Sequence, residues 1–553
     1  MEPISRRDFF KTSASGVAAL AAISLFGGLP QFRRPLPGAS KRGDMLFVPH
    51  PHPSMPPIGF VYASDEEDQP FKSEIYVGDE GIVVPTEFGD KRFGVNLRWY
   101  VEGFGFLWLC ADNGGEFYSL KDSSKGQVFN LNLELARSRV MRNERVMEKY
   151  AKSGTIFSEE VKGLKALSED LLDDASKTAR GQSRSTELAD KALLYALWCG
   201  EKMELENARG AIALKSPKGE GYFGCETRQY VWVKSEAFTK IFPKLFNFAT
   251  VTHYVWDSWY ELFEPQEGRY NWGIKDDIVN WLTRVGIRIE GRPLFWFHPS
   301  VTPEWMKKFD FTQQKKYVER HAHDLVTHYG ESVLEWEVMN EYHDWANVLN
   351  NTPEQMTEIV RLACDSTTSA NSKVKRIINN SGPFGEYVAR GTMAGDVVAN
   401  RTLRTPFQFL RELIMEGVDF DIVGIQVYFP DRDLSDIARM VERFGTLGKP
   451  IYITEIGATS GPSVASVNAG QPFPQGPYSW HRHWDNDLQA DWLEAVYTVC
   501  YSRPFIKAIN WYDFADFRSY IPNGGLVLED CTPKPSFERL SEILDKWQIK
   551  RPK

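Results

Sequence analysis

Two glutamates end short apolar runs of this chain in a setting that suits acid–base chemistry. Glu341 follows "LEWEVMN", directly after Asn340, and Glu455 ends the apolar run "PIYITE". A buried glutamate is costly unless it is paired or functional. Two carboxylates across one site suit glycoside hydrolysis, in which one is the acid/base and the other the nucleophile. Either glutamate alone is as readily explained by a helix cap or a loop contact, so the hypothesis depends on the pair.

Other polar and aromatic residues stand at the ends of similar runs. The run "IVGIQV" contains Gln426 and is followed by Tyr428, and "INWYDFAD" contains Trp511, Asp513 and Asp516. The carboxyl ends of the strands of a parallel barrel meet at one rim. If the runs are such strands, we expect these side chains to share a site with the two glutamates.

The elements that would position these residues are short apolar runs after Gly219, most of them separated by helix-length segments. The runs, with the number of the first residue, are "YFGC" (222), "LFNFATV" (245), "RPLFWF" (292), "LEWEVM" (334), "RIINN" (376), "IVGIQV" (422), "PIYIT" (450) and "IKAINWY" (506). Alternating strands and helices predict a parallel sheet, and eight strands predict its closure. The predicted fold class is α/β, a (β/α)8 TIM barrel over residues 216–550, with Glu341 after the fourth strand and Glu455 at the seventh.

Two further regions precede the predicted barrel. Residues 45–125 predict a small β-rich module, with strand-like runs separated by Gly and Asp-Asn-Gly turns. Residues 126–215 predict helices, among them one long helix capped by Ser185 or Thr186 and separated from its predecessor by a polar tract around 177–185. The module is either carbohydrate-binding or a packing module docked on the barrel. We favour the second, because about 75 residues are few for a sandwich of about 100.

The N-terminus, residues 1–44, predicts an export signal and a linker. "SRRDFFK" from Ser5 to Lys11 precedes a mildly apolar run from Gly16 to Leu29, as in signals of the twin-arginine (Tat) pathway. The run is shorter than the roughly 20 residues that a membrane span needs. We therefore expect export to the periplasm or the extracellular space, and no membrane association beyond export.

Composition narrows the classes of partner. A net charge of -9 argues against nucleic acid, whose phosphates are bound by Lys and Arg. The six cysteines lie far apart without a C-x-x-C pair, so we expect buried thiols and no zinc site. His321 and His323 are two positions apart, which in a helix puts them on different faces and argues against a metal site. No cofactor and no metal are predicted, and the sequence does not indicate an oligomeric state.

Five motifs resemble those of glycoside hydrolase family 10, the endo-xylanase-type members of clan A. "WEVMNE" resembles the family's "W-D-V-V-N-E", "ITEIG" resembles "I-T-E-L-D", and "IVGIQVYF" resembles "G-I-G-x-Q-x-H". "FNFATVTHYVWDSWYELFEPQEGRYNW" and "GGLVLEDCTPKPSFERL" are similar to two more family segments, and all five occur in family order between about Gly219 and Leu544. Together they form a specific resemblance.

The resemblance implies a retaining double displacement on a β-1,4-linked polysaccharide, with xylan as the leading substrate. Glu341 would be the general acid/base and Glu455 the nucleophile, and Asn340 would hydrogen-bond the sugar 2-hydroxyl. Trp296 would be a sugar platform, and Gln426, Tyr428 and Trp511 would complete the substrate-binding set. The reaction needs no cofactor.

Some family positions differ in this chain. The family's polar "E-N-x-M-K-W" reads "THYVWDSWY" over 252–260, and its "G-H-T-L-V-W-H" reads "GRPLFWF" over 291–297, without either histidine. Arg292 could bind a carboxylated sugar, although a buried salt bridge is the favoured interpretation. Trp256, Trp259 and Trp305 are each as consistent with core packing as with sugar stacking, and Glu264 is interpreted as pinning a loop.

These differences keep alternatives open. One is a clan A β-glycosidase of other specificity, acting on mannan or glucan or from a chain end. Another is a non-catalytic carbohydrate-binding protein, which the presence of both glutamates and of Asn340 disfavours.

Overall fold

The structure is a computed structural model that describes residues 43–122, 126–178, 183–215, 218–233, 236–256, 262–428, 430–461 and 479–552. The predicted export signal, Ser5 to Lys11, and Trp259 lie outside the described residues. The strands are β1 (Met45–Val48), β2 (Val61–Ser64), β3 (Pro70–Phe71), β4 (Tyr76–Gly78), β5 (Gly81–Val84), β6 (Gly94–Val101), β7 (Gly105–Ala111), β8 (Gln127–Asn130), β9 (Tyr222–Glu226), β10 (Phe248–Thr252), β11 (Arg288–Arg292), β12 (Glu335–Asn340), β13 (Lys375–Asn380), β14 (Thr392–Met393), β15 (Val397–Val398), β16 (Ile422–Tyr428), β17 (Ile451–Gly457), β18 (Ser479–Trp480) and β19 (Ile506–Trp511). The α-helices are α1 (Leu131–Lys152), α2 (Glu159–Lys177), α3 (Ser183–Leu214), α4 (Glu236–Leu245), α5 (Gly273–Val285), α6 (Phe311–Tyr329), α7 (Pro353–Ala370), α8 (Glu386–Arg390), α9 (Pro406–Met415), α10 (Leu434–Gly445), α11 (Asn486–Tyr501) and α12 (Pro535–Lys546).

Eight parallel strands close into a barrel in the order β9-β10-β11-β12-β13-β16-β17-β19. β12, β16 and β17 are buried at every residue, as expected of strands covered by helices on one side and by the barrel interior on the other. Three of the outer helices, α6, α7 and α9, start with a capping box in which Asp310, Thr352 or Thr405 pairs with a glutamine three residues on. The predicted barrel fold is confirmed.

The third strand lies earlier in the chain than predicted. The run "RPLFWF" from Arg292 is expected to be the strand, whereas β11 spans Arg288–Arg292. After it, Phe295 forms an isolated bridge to Met339 of β12 and Phe297 forms one to Asn347 in the loop after β12. Glu290 and Arg292 are buried within the strand and interrupt its apolar pattern. Pro293 then lacks the backbone N–H that a continuing ladder needs. The prediction was wrong here because the interior of this barrel is polar.

The region before the barrel forms two small sheets and three helices. The sheets have the orders β4-β5-β1-β8 and β18-β7-β6-β2-β3, and β18 comes from the connection after barrel strand β17. Their inward faces pack on α1 and α3 in one apolar core that includes Phe47, Leu97, Trp99 and Leu193. The long predicted helix is α3, but it begins at Ser183. Ser185 therefore lies inside the helix, where its hydroxyl donates to the Ala175 carbonyl instead of capping.

This N-terminal region is docked on the barrel rim formed by the loops after β13, β16 and β17. The backbone N–H of Trp108 donates to the Asp431 carbonyl at 2.8 Å, and Arg139 forms a buried ion pair with Asp433. The Thr405 hydroxyl donates to the Gln69 side chain at 2.6 Å. The N-terminal region therefore contacts the end of the barrel that carries the predicted site, and the pair of Glu204 with Arg503 extends the contact to the turn before β19.

Two general features follow from the described residues. All six cysteines are thiols, of which five are buried and Cys110 is half-buried. In the part of the chain that the structure describes, no helix is long and apolar enough to cross a membrane.

Candidate active site

Glu341 lies directly after β12, in a backbone conformation that directs it into the barrel mouth. Its φ of 53° is in the left-handed region, which non-glycine residues adopt rarely. The backbone N–H of Glu341 donates to the Asn379 carbonyl at 2.9 Å and fixes this turn to the next strand. A register shift in β12 between Glu337 and Met339 precedes it. Such irregularities re-aim side chains next to active sites.

The Glu341 carboxyl is buried between two donors. Gln426 Nε2 donates to Oε1 and Trp296 Nε1 donates to Oε2, both at 2.9 Å. Burial, and then the negative charge of Glu455, raise the pKa of Glu341 to about 7, although both hydrogen bonds oppose the shift. Glu341 is therefore a carboxyl group that can hold its proton near neutral pH.

Glu455 lies in β17, next to a register shift against β16, and its surroundings stabilise a carboxylate. Arg292 forms a buried salt bridge to Glu455 Oε1, and Asn379 Nδ2 donates to the same oxygen at 3.3 Å. The Tyr428 hydroxyl donates to Oε2 at 2.5 Å. Burial and the neighbouring Glu455 hold the pKa of Tyr428 well above its usual value, so that Tyr428 remains a donor. The salt bridge confirms the favoured interpretation of Arg292.

An amide network joins the two carboxyl groups. Asn379 Nδ2 is 3.1 Å from Asn340 Oδ1 and also donates to Glu455. Gln426 Nε2 is 3.4 Å from the same Asn340 oxygen and donates to Glu341. Asn340, Gln426 and Asn379 thus connect Glu341 to Glu455 through side chains that are all buried.

Aromatic side chains line the mouth beside this network. Trp296 is half-buried and packs against Tyr254 at 5.0 Å between ring centroids. Tyr428, Tyr512 and Tyr520 contact one another with centroids 5.2 to 5.5 Å apart. The mouth therefore presents flat apolar faces and hydroxyl groups, the combination that sugar rings bind.

Of the predicted site residues, Trp511 lies apart from the network. Its side chain has no exposed surface, its indole N–H donates to the Gly524 carbonyl at 2.8 Å, and its ring packs edge-on against Trp492. No face of the indole is open to a sugar. The predicted contact of Trp511 with substrate is corrected to a packing role that anchors the loop after β19.

The other aromatic and acidic candidates differ in how deeply they are buried and in what they contact. Trp305 packs on Phe309 and Tyr317. Trp256 is more than a third exposed. Glu264 is buried, where it accepts from the Gly268 backbone N–H at 2.6 Å. The interpretation of Glu264 as a residue that pins a loop is confirmed.

Sequence reasoning missed Asn379, which bonds both Asn340 and Glu455. The only available signal was the ending of the run "RIINN", in which two polar residues close an apolar strand. Arg292 was considered as a salt bridge but not connected to Glu455, because no sequence spacing shows which strands face each other across a barrel. Among the described residues, no group of three or more His, Cys, Asp or Glu side chains is arranged to hold a metal ion.

A closed parallel barrel with two buried carboxyl groups in different surroundings at its mouth is the arrangement of a barrel glycoside hydrolase. Residues 213–543, well over half of the chain, match the model of Glycosyl hydrolase family 10. The chain belongs to this family and is a glycoside hydrolase.

Individual relatives are distant in sequence. Endo-1,4-beta-xylanase B of Thermotoga neapolitana is 23% identical over 332 residues, which cover 56% of this chain and 84% of that protein. Endo-1,4-beta-xylanase A of Phanerodontia chrysosporium is 25% identical over 320 residues, covering 56% and 69%. Xylanase 10B from Thermotoga petrophila RKU-1, solved in complex with xylobiose, aligns with a TM-score of 0.45 at 20% identity and covers 62% of this chain and 97% of that chain.

Proposed function

We propose that the protein hydrolyses a β-1,4-linked polysaccharide, with xylan as the leading substrate, by a retaining double displacement. The observation that supports this most is the contrast between the two carboxyl groups. Glu455 is paired with the permanent cation of Arg292, whereas burial raises the pKa of Glu341 to about 7. One group is poised to attack while its neighbour holds a proton, which is the division of roles that the reaction needs.

In the first step Glu455 is the nucleophile. Arg292 and Asn379 hold Oε1, which leaves Oε2, on the Tyr428 side, to bond the anomeric carbon. The glycosidic C–O bond breaks, and the proton of Glu341 passes to the leaving oxygen. The product is a glycosyl ester on Glu455, a free sugar end and an ionised Glu341.

In the second step Glu341 is the base. Loss of the Glu455 charge removes the repulsion that raised the pKa of Glu341, so the carboxylate persists until water arrives. Glu341 takes a proton from that water as its oxygen bonds the anomeric carbon and the ester bond to Glu455 breaks. Two inversions at one carbon return the original anomer. Asn340, fixed by Asn379, is the donor for the sugar 2-hydroxyl.

The named relatives support xylan as the substrate, since both are endo-1,4-beta-xylanases. A second candidate is a clan A β-glycosidase that acts on another glycan or from a chain end. It is favoured by the stretch 252–260, where aromatic residues replace the family's polar sugar contacts, and by the packing of Tyr254 on Trp296.

The test is proton NMR of the product released from xylo-oligosaccharides by wild type, Glu341→Ala and Glu455→Ala. We expect wild type to release the β-anomer first. Glu341→Ala should lower activity by about 10² to 10⁴-fold, the usual contribution of a general acid/base, and Glu455→Ala should be inactive. Azide should rescue Glu455→Ala with an inverted product and Glu341→Ala with a retained one, because azide replaces the missing group on opposite faces of the sugar.

The exposed Glu304, which pairs with Lys307, provides the matched control. Glu304→Ala should leave the rate unchanged. Release of the α-anomer by wild type would contradict the double displacement. Wild type inert on xylose oligomers but active on β-mannan or β-glucan would establish the second candidate, and silence on all three would favour a carbohydrate-binding protein.

We also propose that the protein is exported by the Tat pathway. The support is the sequence from Ser5 to Lys11 with its two consecutive arginines. Replacing Arg6 and Arg7 with lysine should retain the protein in the cytoplasm, as measured by cell fractionation. An unchanged distribution would contradict the proposal.

A further inference from the structure

The interior of the barrel below the site is charged, although such barrels are usually filled by branched apolar side chains. β11 contributes Glu290 and Arg292, and β12 contributes Glu335 and Glu337, all of them buried. Residues two apart on a strand point to the same face. Arg292 contacts Glu455 on β17, which is not a neighbour of β11, so this face is the inside of the barrel.

Arg292 sits between two carboxyl groups in this interior. Its guanidinium donates to Glu455 Oε1, and its Nε lies 3.5 Å from Glu337 Oε2. Only 1% of the residue is exposed. A guanidinium does not lose its proton in a protein. Arg292 is therefore a fixed positive charge against Glu455, at a position where the family motif G-H-T-L-V-W-H has a histidine.

Glu337 does not compete for this charge near neutral pH. In the part of the chain that the structure describes, neither carboxyl oxygen of Glu337 accepts a hydrogen bond. Burial, together with the charges of Glu455 and Glu341, raises the pKa of Glu337 to about 8 even though Arg292 opposes the shift. A neutral Glu337 leaves the full charge of Arg292 to Glu455.

We propose that Arg292 is a positioning residue that fixes Glu455 Oε1 and places a permanent positive charge against the attacking carboxylate. The inference rests on the proposed function, because the role of Glu455 as nucleophile is part of it. It adds a device that the family histidine cannot supply, namely a charge that does not titrate. The ionisable groups that face Arg292 and Glu337 from the surrounding elements are Glu226, Tyr254, Glu290, Glu341, Glu455 and Tyr512.

The same two strands provide a matched control. Arg288 pairs with Glu335 at 2.6 Å, four residues before Arg292 and toward the opposite end of the barrel. Arg288→Met removes a partly buried ion pair from β11 and β12 without touching the site. It should lower thermal stability and leave kcat/KM and its pH profile unchanged.

The experiment compares wild type, Arg292→Lys, Arg292→Met and Arg288→Met on an aryl β-glycoside of the sugar that wild type cleaves. Misplacing a reacting group by about 1 Å costs on the order of 100-fold. We expect kcat/KM to fall by about that factor in Arg292→Met and by less in Arg292→Lys, which keeps the charge. The acidic limb of the profile should move to higher pH in Arg292→Met, while inhibition by the disaccharide product changes less than about threefold, because the binding contacts remain.

A second readout is the rate at which a 2-fluoro glycoside labels Glu455, followed by mass spectrometry. Slower labelling in Arg292→Met and an intermediate rate in Arg292→Lys would support the inference. If Arg292→Met fails to fold, Arg292→Lys still tests the inference. We expect this variant to fold and its Glu455 to be labelled more slowly than in wild type. The inference would be overturned if the Arg292 variants only lost stability, as Arg288→Met does. Their acidic limb and their labelling rate would then equal those of wild type. Wild type that is neither active nor labelled would instead contradict the proposed function.

Discussion

The charge state of Glu341 is the property of the site that pH controls most directly. A general acid must be protonated, so activity is present below its pKa and is lost as the pH rises through it. Burial and the neighbouring Glu455 raise the pKa of Glu341 to about 7. We expect the basic limb of kcat/KM to fall near pH 7, measured with a soluble aryl glycoside from pH 4 to 10. A limb near pH 4.5, the value of an ordinary glutamate, would show that burial does not act on this group.

The indole of Trp296 offers a way to shift that limb. Its N–H donates to Glu341 Oε2, and this hydrogen bond stabilises the carboxylate and lowers its pKa. Trp296→Phe keeps an aromatic ring but removes the donor, so the basic limb should move to higher pH, by about one pH unit if the bond is of ordinary strength to a charged group. Trp305→Phe is the control, since Trp305 packs on Phe309 and Tyr317. A shift to lower pH in Trp296→Phe would contradict the assigned bond.

At this scale the sequence predicted the residues that stand at strand ends and missed the contacts that cross the barrel. The structure brings together Glu341, Glu455, Asn340, Gln426 and Tyr428, which the sequence singles out because each interrupts or closes an apolar run. A contact between strands that are far apart in the chain depends on how strands face each other, which no local pattern encodes. The predicted contact of Trp511 with substrate was wrong because a tryptophan at a strand end looks the same in a sequence whether it faces the mouth or the core.

At the scale of elements, the strands that hold the site residues have irregular pairing next to those residues. The ladder of β12 and β13 shifts between Glu337 and Met339, and that of β16 and β17 shifts between Ile425 and Gln426. Each shift adds a residue to one strand and turns the following side chains. Strand periodicity predicted the number and order of the strands, but a shift of one residue decides which side chains enter the barrel.

Gly424 in β16 packs closely against Asn379 and Thr454 under the site. A Cβ there would lie 2.7 Å from Asn379 Oδ1, 2.9 Å from Thr454 Cγ2 and 3.0 Å from the Asn379 Cα. Gly424→Ala should therefore push Asn379 away from Glu455 and Asn340. We expect a loss of about 1 to 3 kcal/mol in stability from overpacking and a lower kcat/KM.

The control for Gly424 is Gly273, the first residue of α5, where an added Cβ would meet no atom within 4 Å. Gly273→Ala should be neutral or slightly stabilising because alanine favours helices. Thermal unfolding and kcat/KM of both variants decide the matter. Equal behaviour of the two variants would show that Asn379 can move without cost.

At the scale of the whole molecule, the N-terminal region and the barrel share buried charges. Arg139 of α1 pairs with Asp433, Arg142 of the same helix pairs with Asp436 at 2.9 Å, and Glu204 of α3 pairs with Arg503 at 3.0 Å. Breaking one partner out of a buried pair costs about 3 to 5 kcal/mol, because the other charge stays buried and unpaired. The two parts are therefore coupled far more strongly than modules joined by a flexible linker.

Removing the N-terminal region should accordingly destabilise the barrel. A chain that begins at residue 216 would leave Asp433, Asp436 and Arg503 without these partners and would expose the surface that Trp108 and the β7 strand cover. We expect such a chain to aggregate or to unfold at a lower temperature, by differential scanning calorimetry and size-exclusion chromatography. Arg139→Met in the full-length chain removes the buried ion pair but leaves the barrel surface covered, so it measures the effect of the charge alone. It should lower stability by about 3 to 5 kcal/mol. A monomeric barrel with the thermal midpoint of the full chain would show instead that the N-terminal region is an independent module, and a carbohydrate-binding role for it would then be the better interpretation.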